Sequence, residues 1–319
     1  MKIKTPYYNW QSYKFGTISL CMIMKDEARR LARCLDSVKD LVDEIIIVDT
    51  GSKDESMKIA KSYGAMVLQD PWQDDFARPR NIGIEQARGD YIFIMDADEV
   101  ISKSSHNDLK WLTRIKQVDA FWLTTLNYGA FENEWNYRIL ETGKDPMGIY
   151  RGYIPSTKTR FFKNGLGIRF EGCYHELVDY YIVRKKLVVA KTEIPIHHWA
   201  HEINQATAQK KKDFYLNLAL KKVREWPEHS QARWELGVTQ MIYGDKEQAQ
   251  YTIAKAIDLG FNKPEQFFAL SRCLYQLEKK SESNFAYEKG LCRLYPMLTH
   301  IDKDSKPERA LTGALIKKD

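Results

Sequence analysis

Residues 91–99 read Tyr-Ile-Phe-Ile-Met-Asp-Ala-Asp-Glu, and this stretch decides the fold that the sequence predicts. The first five residues are apolar, which is typical of a strand buried on both faces of a sheet. Three carboxylates follow at the carboxyl end of that strand, where open α/β sheets bind ligands. Because Asp96 and Asp98 are two residues apart, their side chains share one face of an extended segment and suit Mg²⁺ or Mn²⁺. Asp pairs of this kind are also common in solvated turns.

The chain before this stretch alternates between predicted strands and predicted helices. Strands are expected at residues 18–24, 44–49 and 66–68, and helices at 31–38, at 52–63 with Ser52 and Glu55 as a capping box, and at 76–88. The order β-α-β-α-β-α-β across residues 18–95 predicts a parallel sheet with right-handed crossovers.

Acidic residues mark the ends of three of these strands. Asp26 and Glu27 follow the first strand, Asp49 closes the second, and residues 96–99 follow the last. The carboxyl ends of parallel strands meet at one edge of a sheet, where ligands gather. Three acidic strand ends at one edge favour a ligand site over scattered solvated carboxylates.

Several classes of nucleotide-binding and hydrolytic protein are disfavoured because their motifs are missing. The sequence has no P-loop, no G-x-G-x-x-G after the first strand, no G-x-S-x-G nucleophile elbow and no H-E-x-x-H metalloprotease helix. A dinucleotide-binding Rossmann site is therefore not expected.

The composition of the 319 residues is that of an ordinary globular protein, with 44% hydrophobic residues, 29% charged residues and a net charge of +6. The basic residues are spread along the chain, so no nucleic-acid partner is expected. Five cysteines without a C-x-x-C motif are typical of reduced thiols in a cytoplasmic protein. No apolar run is long enough to span a membrane, and the start of the chain lacks a signal-peptide core, so a cytoplasmic location is expected.

Five blocks of the sequence, in order, resemble family-2 glycosyltransferases with a GT-A fold. The blocks are residues 22–27, 34–38, 43–54, 75–83 and 89–99, and a looser resemblance covers 160–205. This resemblance implies an α/β fold with a Rossmann-like mixed sheet. It also implies a nucleotide-sugar donor, UDP-glucose or a similar compound, and Mn²⁺ or Mg²⁺ as cofactor.

The resemblance also implies roles for residues of the donor site. Asp49 would read the pyrimidine base, and Glu27 would border the nucleoside pocket. Arg78 or Arg80 would reach the base or the diphosphate, with Asn81 in the same donor-binding block; which arginine faces the donor stays open. For Asp49 the alternative is a carboxylate that caps a helix turn, and for Arg78 it is a solvated helix charge.

The metal is expected to be held by Asp98, while Asp96 would hold the ribose or a metal-bound water. GT-A enzymes often complete the metal shell with a residue well after this motif, and His198 is the candidate because it lies in a His-aromatic-small triplet. His198 could instead pack beside Trp199, or bind metal adventitiously together with His197 and His201.

The general base is expected in residues 169–177. An inverting displacement needs a carboxylate that takes the acceptor proton, and Glu176 is the first candidate and Glu171 the second. Glu171 could instead form a salt bridge to Arg169 or lie at a strand edge. His175 would orient a phosphate or the acceptor, or it would be a core histidine.

Residues 120–126 are expected to form a strand, and residues 127–159 lack clear periodicity. A long irregular segment in a compact enzyme is often a lid or an acceptor loop. The alternative is a surface insertion without a catalytic role.

The second half of the chain turns to helix formers that partly match the tetratricopeptide pattern. Two repeats are expected, with the helix from about Ala206 to Trp226 as a cap or half repeat. The predicted organisation is an N-terminal arm (1–16), a glycosyltransferase domain (17–205), a helical repeat domain (206–297) and a tail (298–319). The repeats are a candidate surface for a peptide or for a homodimer.

The sequence therefore predicts a metal-dependent, inverting glycosyltransferase that acts on a peptide, protein or glycan acceptor. One alternative is a non-catalytic scaffold that presents the helical repeats beside a relic sheet. The other is a sugar nucleotidyltransferase, but residues 25–27 do not resemble the glycine-rich loop that this class carries after its first strand.

Overall fold

A computed structural model describes residues 14–129, 136–199, 205–243, 245–261 and 264–298. Most of the predicted N-terminal arm, nearly all of the predicted tail, and His201 lie outside the described residues. The chain divides into two compact units, one up to residue 202 and one from residue 203. The first is built on a sheet, and the second consists of helices.

The first unit contains nine strands among its described residues. They are β1 (Ile18–Met24), β2 (Glu44–Asp49), β3 (Met66–Gln69), β4 (Tyr91–Ile94), β5 (Glu99–Ile101), β6 (Ala120–Tyr128), β7 (Arg138–Ile139), β8 (Gly152–Lys163) and β9 (Val189–Trp199). Its helices are α1 (Leu31–Val38), α2 (Ser56–Ser62), α3 (Ala77–Gln86), α4 (His106–Leu112) and α5 (Asp179–Arg184), with one 3₁₀ turn at Lys103–Ser105.

The strands form one mixed sheet in the order β3-β2-β1-β4-β8-β6-β9-β5, with β7 beside β8. β1 pairs in parallel with β2 and β4, and β2 with β3, which confirms the predicted parallel half. β8 then runs antiparallel to β4 and β6. The predicted mixed α/β sheet is therefore confirmed.

Both faces of this sheet are covered by apolar side chains. Leu31, Leu35 and Val38 of α1 recur at helical spacing, and all three are buried against one face. Ile84 of α3 and Ile182 of α5 are buried against the other face. A strand with apolar cover on both sides reads as a continuous apolar run, which is why residues 91–95 identified β4.

Two of the predicted elements differ from the structure. Helix α2 begins at Ser56 and not at Ser52, because Ser52 Oγ accepts a hydrogen bond from the backbone N–H of Asp26 instead of capping the helix. Residues 152–159 belong to β8 and are not irregular. Their sequence, Gly-Tyr-Ile-Pro-Ser-Thr-Lys-Thr, shows no apolar alternation, although the backbone of residues 153–159 pairs with residues 122–128 of β6.

The second unit contains α6 (Gln205–Glu225), α7 (Ser230–Ile242), α8 (Lys246–Asp258), α9 (Pro264–Gln276) and α10 (Lys280–Leu298). α9 begins 34 residues after α7, and α10 begins 34 residues after α8, which is the tetratricopeptide period. The predicted helical domain is confirmed. In the described part of the chain, no helix is both long enough and apolar enough to cross a membrane.

Candidate active site

The acidic strand ends meet at one edge of the sheet. In the parallel register, Met24 of β1 lies opposite Asp49 of β2, and Cys21 lies opposite Ile94 of β4. The loops that follow β1, β2 and β4 therefore leave the sheet side by side. This arrangement is the edge at which α/β sheets bind ligands.

Asp49 forms the floor of a tight turn at this edge. Its carboxylate accepts hydrogen bonds from the backbone N–H groups of Gly51 and Ser52, at 3.1–3.2 Å, and the residue is 1% exposed. Gly51 has a φ of 110°, which a side chain would strain. These contacts are those of a carboxylate that caps a turn, which is the alternative role considered for Asp49. Recognition of the pyrimidine base by Asp49 stays a prediction.

Glu27 lies near the carboxylates that follow β4. Its Oε2 accepts a hydrogen bond from Arg30 Nε at 2.9 Å. Burial raises the pKa of Glu27, Arg30 lowers it, and the charge of Asp98 raises it further. An effect of Asp98 on Glu27 is expected where the first and third acidic strand ends meet at one edge of the sheet.

Asp96 lies between two arginines. Arg80 Nη2 donates to its Oδ1 at 2.8 Å, and Arg160 Nη1 lies 3.5 Å from its Oδ2. Partial burial raises the pKa of Asp96, but the two guanidinium groups hold this pKa well below its usual range. The Asp96 carboxylate is therefore ionised, and its hydrogen bonds among the described residues are to the two arginines.

Arg80 also holds Glu176, the first candidate for the general base. Arg80 Nε donates to Glu176 Oε1 at 2.6 Å, and both side chains are 11% exposed. One guanidinium therefore joins the acidic motif after β4 to the carboxylate of a distant loop. Its third nitrogen, Nη1, is buried without a hydrogen-bond partner among the described residues.

Helix α3 places the loop that carries Glu176. Asn81 donates to the carbonyl of Phe170 at 3.0 Å and accepts from its backbone N–H at 2.8 Å. The guanidinium of Arg80 lies over the Phe170 ring, 5.3 Å from its centroid. Asn81, predicted to contact the donor, has these contacts to Phe170, and donor binding by it stays a prediction.

Arg78 faces a different way. Its Nε and Nη2 pair with Asp70 at 3.0–3.2 Å, and its side chain is 48% exposed. Arg78 and Arg80 are two residues apart on a helix, so they point to different sides. Of the two arginines, Arg80 is the one that reaches Asp96.

Asp98 lies opposite His198. Asp98 Oδ2 and His198 Nε2 are 3.4 Å apart. His198 Nδ1 donates to Asn127 Oδ1 at 2.9 Å, and Asn127 Nδ2 donates to the carbonyl of Ile154 at 2.8 Å, which fixes the amide orientation. Burial lowers the pKa of His198, and the hydrogen bond to Asp98 raises it, with a net rise.

This pair fits a divalent cation in its chemistry. A carboxylate oxygen and an imidazole nitrogen suit Mn²⁺, and Asn127 orients the imidazole as an outer-shell partner does. The described residues contain no cluster of three His, Cys, Asp or Glu side chains suited to a metal. A cation here would therefore take further ligands from substrate phosphate or water, as Mg²⁺ and Mn²⁺ sites commonly do.

The other candidates lie apart from this centre. Glu171 forms an ion pair with Arg184, and its backbone bonds to that of Leu177. Arg169 pairs with Glu85 instead, at 2.8 Å. His175 is exposed, with a φ of 45°, and its ring lies 4.0 Å from the Tyr174 ring.

His197 is a packed histidine. It stacks on Tyr128, whose hydroxyl lies 2.7 Å from its Nδ1, and Ser102 Oγ lies 2.9 Å from its Nε2. Both ring nitrogens are therefore occupied. Of the two neighbouring histidines, His198 is the one that faces the acidic motif.

A family profile described as "Glycosyl transferase family 2" matches residues 19–184, which is more than half of the chain. The chain belongs to glycosyl transferase family 2. The match covers the parallel half of the sheet, the acidic motif after β4 and the loop that carries Glu176.

Curated relatives of this glycosyl transferase family 2 chain are similar over about half of its length or less. A "TPR repeat-containing protein" of Synechococcus elongatus is 40% identical over 162 residues, 51% of this chain and 35% of the relative. The "SPbeta prophage-derived glycosyltransferase SunS" of Bacillus subtilis is 26% identical over 178 residues, 55% of this chain and 38% of the relative. The chain thus spans little more than a third of the length of these relatives.

Solved structures are also similar to this family-2 chain. S. aureus TarS residues 1–349 has a TM-score of 0.46 at 12% identity, over 88% of this chain and 91% of that one. Glucosyl-3-phosphoglycerate synthase from Mycobacterium tuberculosis, in complex with Mn²⁺, UDP and glucosyl-3-phosphoglycerate, has a TM-score of 0.41 at 15% identity, over 66% and 83%.

Four residues of this family-2 site were missed from the sequence. Glu99 has no predicted role, yet it forms a bidentate pair with Arg160, at 2.6 and 2.9 Å. Arg160 and Lys158 lie on β8, a strand that was not predicted over those residues. Asn127 lies on β6, at the start of the segment that is predicted to be irregular. The alternation Lys158-Thr159-Arg160 was the one signal available, since it could place two cations on one face of a strand.

The segment at residues 136–151 remains a candidate lid or acceptor loop. Asp145 is buried and accepts hydrogen bonds from the backbone N–H groups of Met147 and Tyr150, at 2.6 and 2.8 Å. Arg33 Nη1 lies 2.9 Å from Met147 Sδ, and its guanidinium lies over the Trp199 ring. The segment is thus anchored beside the strand that carries His198.

Proposed function

We propose that the chain is a metal-dependent, inverting glycosyltransferase that moves a sugar from a nucleoside-diphosphate sugar, preferably UDP-linked, to a peptide, protein or glycan. The observation that carries the proposal is the double contact of Arg80. It joins Asp96 of the acidic motif to Glu176, so a donor-site carboxylate and a candidate base belong to one network.

The donor would bind along the acidic strand ends. Glu27 and Asp49 would border the nucleoside, and the diphosphate would lie near Asp98 and His198. These two side chains would hold Mn²⁺ or Mg²⁺, which supplies positive charge to the leaving diphosphate. Asp96 is already matched by Arg80 and Arg160, so in the proposal it contacts the ribose or a metal-bound water.

Glu176 would accept the proton of the acceptor. Its Oε1 is bonded to Arg80, and no hydrogen bond among the described residues uses its Oε2, which can accept a proton. The bond from the acceptor atom to the anomeric carbon forms as the bond from that carbon to the diphosphate breaks. The electron pair of the broken bond stays on the diphosphate, and a single displacement of this kind inverts the anomeric centre.

Glu171 is the second candidate for the base, and the proposal ranks it lower. Its carboxylate is paired with Arg184, whose side chain is 58% exposed. Proton transfer requires that the base reach the reacting atoms at hydrogen-bond distance. His175, which is exposed, would orient the acceptor.

The helical repeats would contribute to acceptor choice. Stacked tetratricopeptide helices offer extended surfaces for peptides, so a peptide acceptor is slightly favoured, and a homodimer through the same helices is the other use. A cytoplasmic location is proposed from the thiol composition; Cys21, Cys34, Cys173 and Cys273 are thiols and not disulfide partners.

The test is thermal unfolding with UDP, GDP, CMP and dTDP compounds, each with and without Mn²⁺. A ligand present at about 100 times its Kd stabilises the native state by about 2.7 kcal/mol. We expect a Mn²⁺-dependent rise in Tm with UDP compounds that is lost in Asp98→Ala. Asp36→Ala, which changes an exposed carboxylate paired with Lys39, is the matched control.

Product analysis completes the test. If a UDP-sugar binds, its reaction with an acceptor is followed by NMR. Release of UDP together with a product of inverted anomeric configuration would support the reaction type. A chain that binds none of the nucleotides would favour the scaffold alternative. Turnover of a nucleoside triphosphate with a sugar phosphate would favour the nucleotidyltransferase.

A further inference from the structure

Lys158 lies on the wall of the proposed site. The neighbouring Thr159 and its register partner Trp122 both donate to Asp179 Oδ1, at 3.0 and 3.1 Å, on one face of the sheet. Successive side chains of a strand point to opposite faces. Lys158 therefore points to the other face, together with its register partner Leu123, which is buried in the core on the α1 side.

The charged network of the site lies on that same face. The pairing of β6 and β8 shifts between Phe121 and Trp122, so that Arg160 is the extra residue of a β-bulge. Arg160 reaches Glu99 and Asp96. Because β8 runs antiparallel to β4 with Phe161 opposite Phe93, Lys158 lies beyond the carboxyl end of β4, where the acidic motif follows. Arg160 and burial lower the pKa of Lys158, and Asp96 and Glu99 raise it.

Lys158 differs from its cationic neighbours because it forms no ion pair with a described residue. Arg80 pairs with Asp96 and Glu176, and Arg160 pairs with Glu99 and Asp96. Within the part of the chain that the structure describes, Lys158 has no carboxylate oxygen within 4.0 Å of its Nζ. A strongly hydrated ammonium beside a substrate cleft can bind a phosphate or a carboxylate.

The order of the strands gives the side of the site on which Lys158 lies. Across the sheet, β2 carries Asp49, β4 leads into Asp96 and Asp98, and β8 carries Lys158, in the order β2-β1-β4-β8. A donor with its nucleoside near Asp49 and its diphosphate near Asp98 leaves the β8 side for the sugar and the acceptor. We infer that Lys158 binds an anionic group of the acceptor, a phosphate or a carboxylate. This inference rests on the proposed function.

The same ammonium chemistry would also suit the diphosphate of the donor, so the experiment separates the two sources. The variants are Lys158→Met, which removes the charge and keeps most of the volume, and Lys158→Arg, which keeps the charge. Lys191→Met is the matched control, because Lys191 is an exposed lysine on β9 of the same sheet. The first measurement is the affinity of each variant for UDP with Mn²⁺.

The second measurement titrates glycerol 3-phosphate, with glycerol as the neutral comparison, into protein saturated with UDP and Mn²⁺. We expect wild type, Lys158→Arg and Lys191→Met to bind glycerol 3-phosphate, and Lys158→Met to bind it about tenfold or more weakly, since a hydrogen bond to a charged group is lost. UDP affinity is expected to stay within about twofold in all variants, and glycerol is expected not to bind.

Three outcomes would overturn the inference. Weaker UDP binding by Lys158→Met would assign the lysine to the donor diphosphate. Equal affinity of Lys158→Met and wild type for glycerol 3-phosphate, or no binding by either, would show that Lys158 holds no acceptor anion. If wild type fails to bind UDP with Mn²⁺, the proposed function itself fails, and that result is separate because it appears in the first measurement.

Discussion

Arg80 and Glu176 are 96 residues apart in the sequence, and their side chains form an ion pair with an Nε–Oε1 distance of 2.6 Å. The same guanidinium holds Asp96 at 2.8 Å. This pair fixes the loop after β8 against helix α3 and brings the candidate base to the acidic motif. Loss of Arg80 would therefore disturb both carboxylates.

Arg80→Met is expected to destabilise the protein by about 3–5 kcal/mol, because it leaves the mostly buried Glu176 carboxylate without its ion-pair partner and leaves Asp96 with only the more distant Arg160. Arg169→Met is the matched control: its pair with Glu85 is exposed on both sides and is expected to contribute about 0–1 kcal/mol. Urea unfolding of both variants measures the difference. Equal losses of unfolding free energy in the two variants would show that the pair with Glu176 stabilises the protein no more than an exposed ion pair does.

Glu176→Gln is expected to lower kcat for sugar transfer by about 10²–10⁴-fold, since the amide keeps an oxygen for Arg80 but cannot take a proton. Glu171→Gln is expected to leave kcat nearly unchanged, because that carboxylate is paired with Arg184. Steady-state kinetics over a range of pH provides the measurement. A large loss in Glu171→Gln alone would move the base to Glu171.

Asn127→Ala is expected to weaken Mn²⁺ binding by about 10–100-fold, because the outer-shell partner of His198 is removed. Thr124→Val, on the same strand, removes a side-chain hydrogen bond to Thr157 and serves as the control. Titration of free Mn²⁺ followed by electron paramagnetic resonance measures the affinity. An Asn127→Ala variant that binds Mn²⁺ like wild type would argue against His198 as a ligand.

The helical unit is expected to lose stability in acid through His229. Its Nδ1 accepts a hydrogen bond from the backbone N–H of Ala232 at the start of α7, a contact that needs the neutral ring. Burial, together with the charge of Lys222, lowers the pKa of His229 below its ordinary value of 6.5. The unfolded chain therefore takes up a proton first, and stability falls as the pH drops below about 6.5.

His229→Asn tests this expectation, because asparagine caps a helix and does not titrate. Chemical unfolding between pH 7.5 and pH 5, followed by circular dichroism, should show a wild-type loss of up to about 0.5–2 kcal/mol, the usual value of an N-cap. The variant should show a shallower decline over the same range. Parallel curves for the two proteins would exclude His229 as the source.

The sequence by itself determined the parallel half of the sheet and the helical repeats. Both follow from patterns among residues that are close in the sequence. The five apolar residues before the acidic motif predict a buried strand, and the apolar residues of α1 recur at helical spacing. The 34-residue period of the helical unit is likewise a property of the sequence, because it is the spacing of equivalent helices along the chain. The acidic strand ends followed from topology, since parallel strands share one carboxyl edge.

Only the tertiary structure decided which charges meet. Strand β8 escaped prediction because residues 152–159 are held by pairing with β6 and not by an apolar pattern of their own. With β8 came Arg160 and Lys158, and helix α3 brought Arg80 to Glu176. Ion pairs between residues about 60 to 100 positions apart depend on how the loops pack. Such pairs produce no periodic pattern in the sequence, so they cannot be predicted from it.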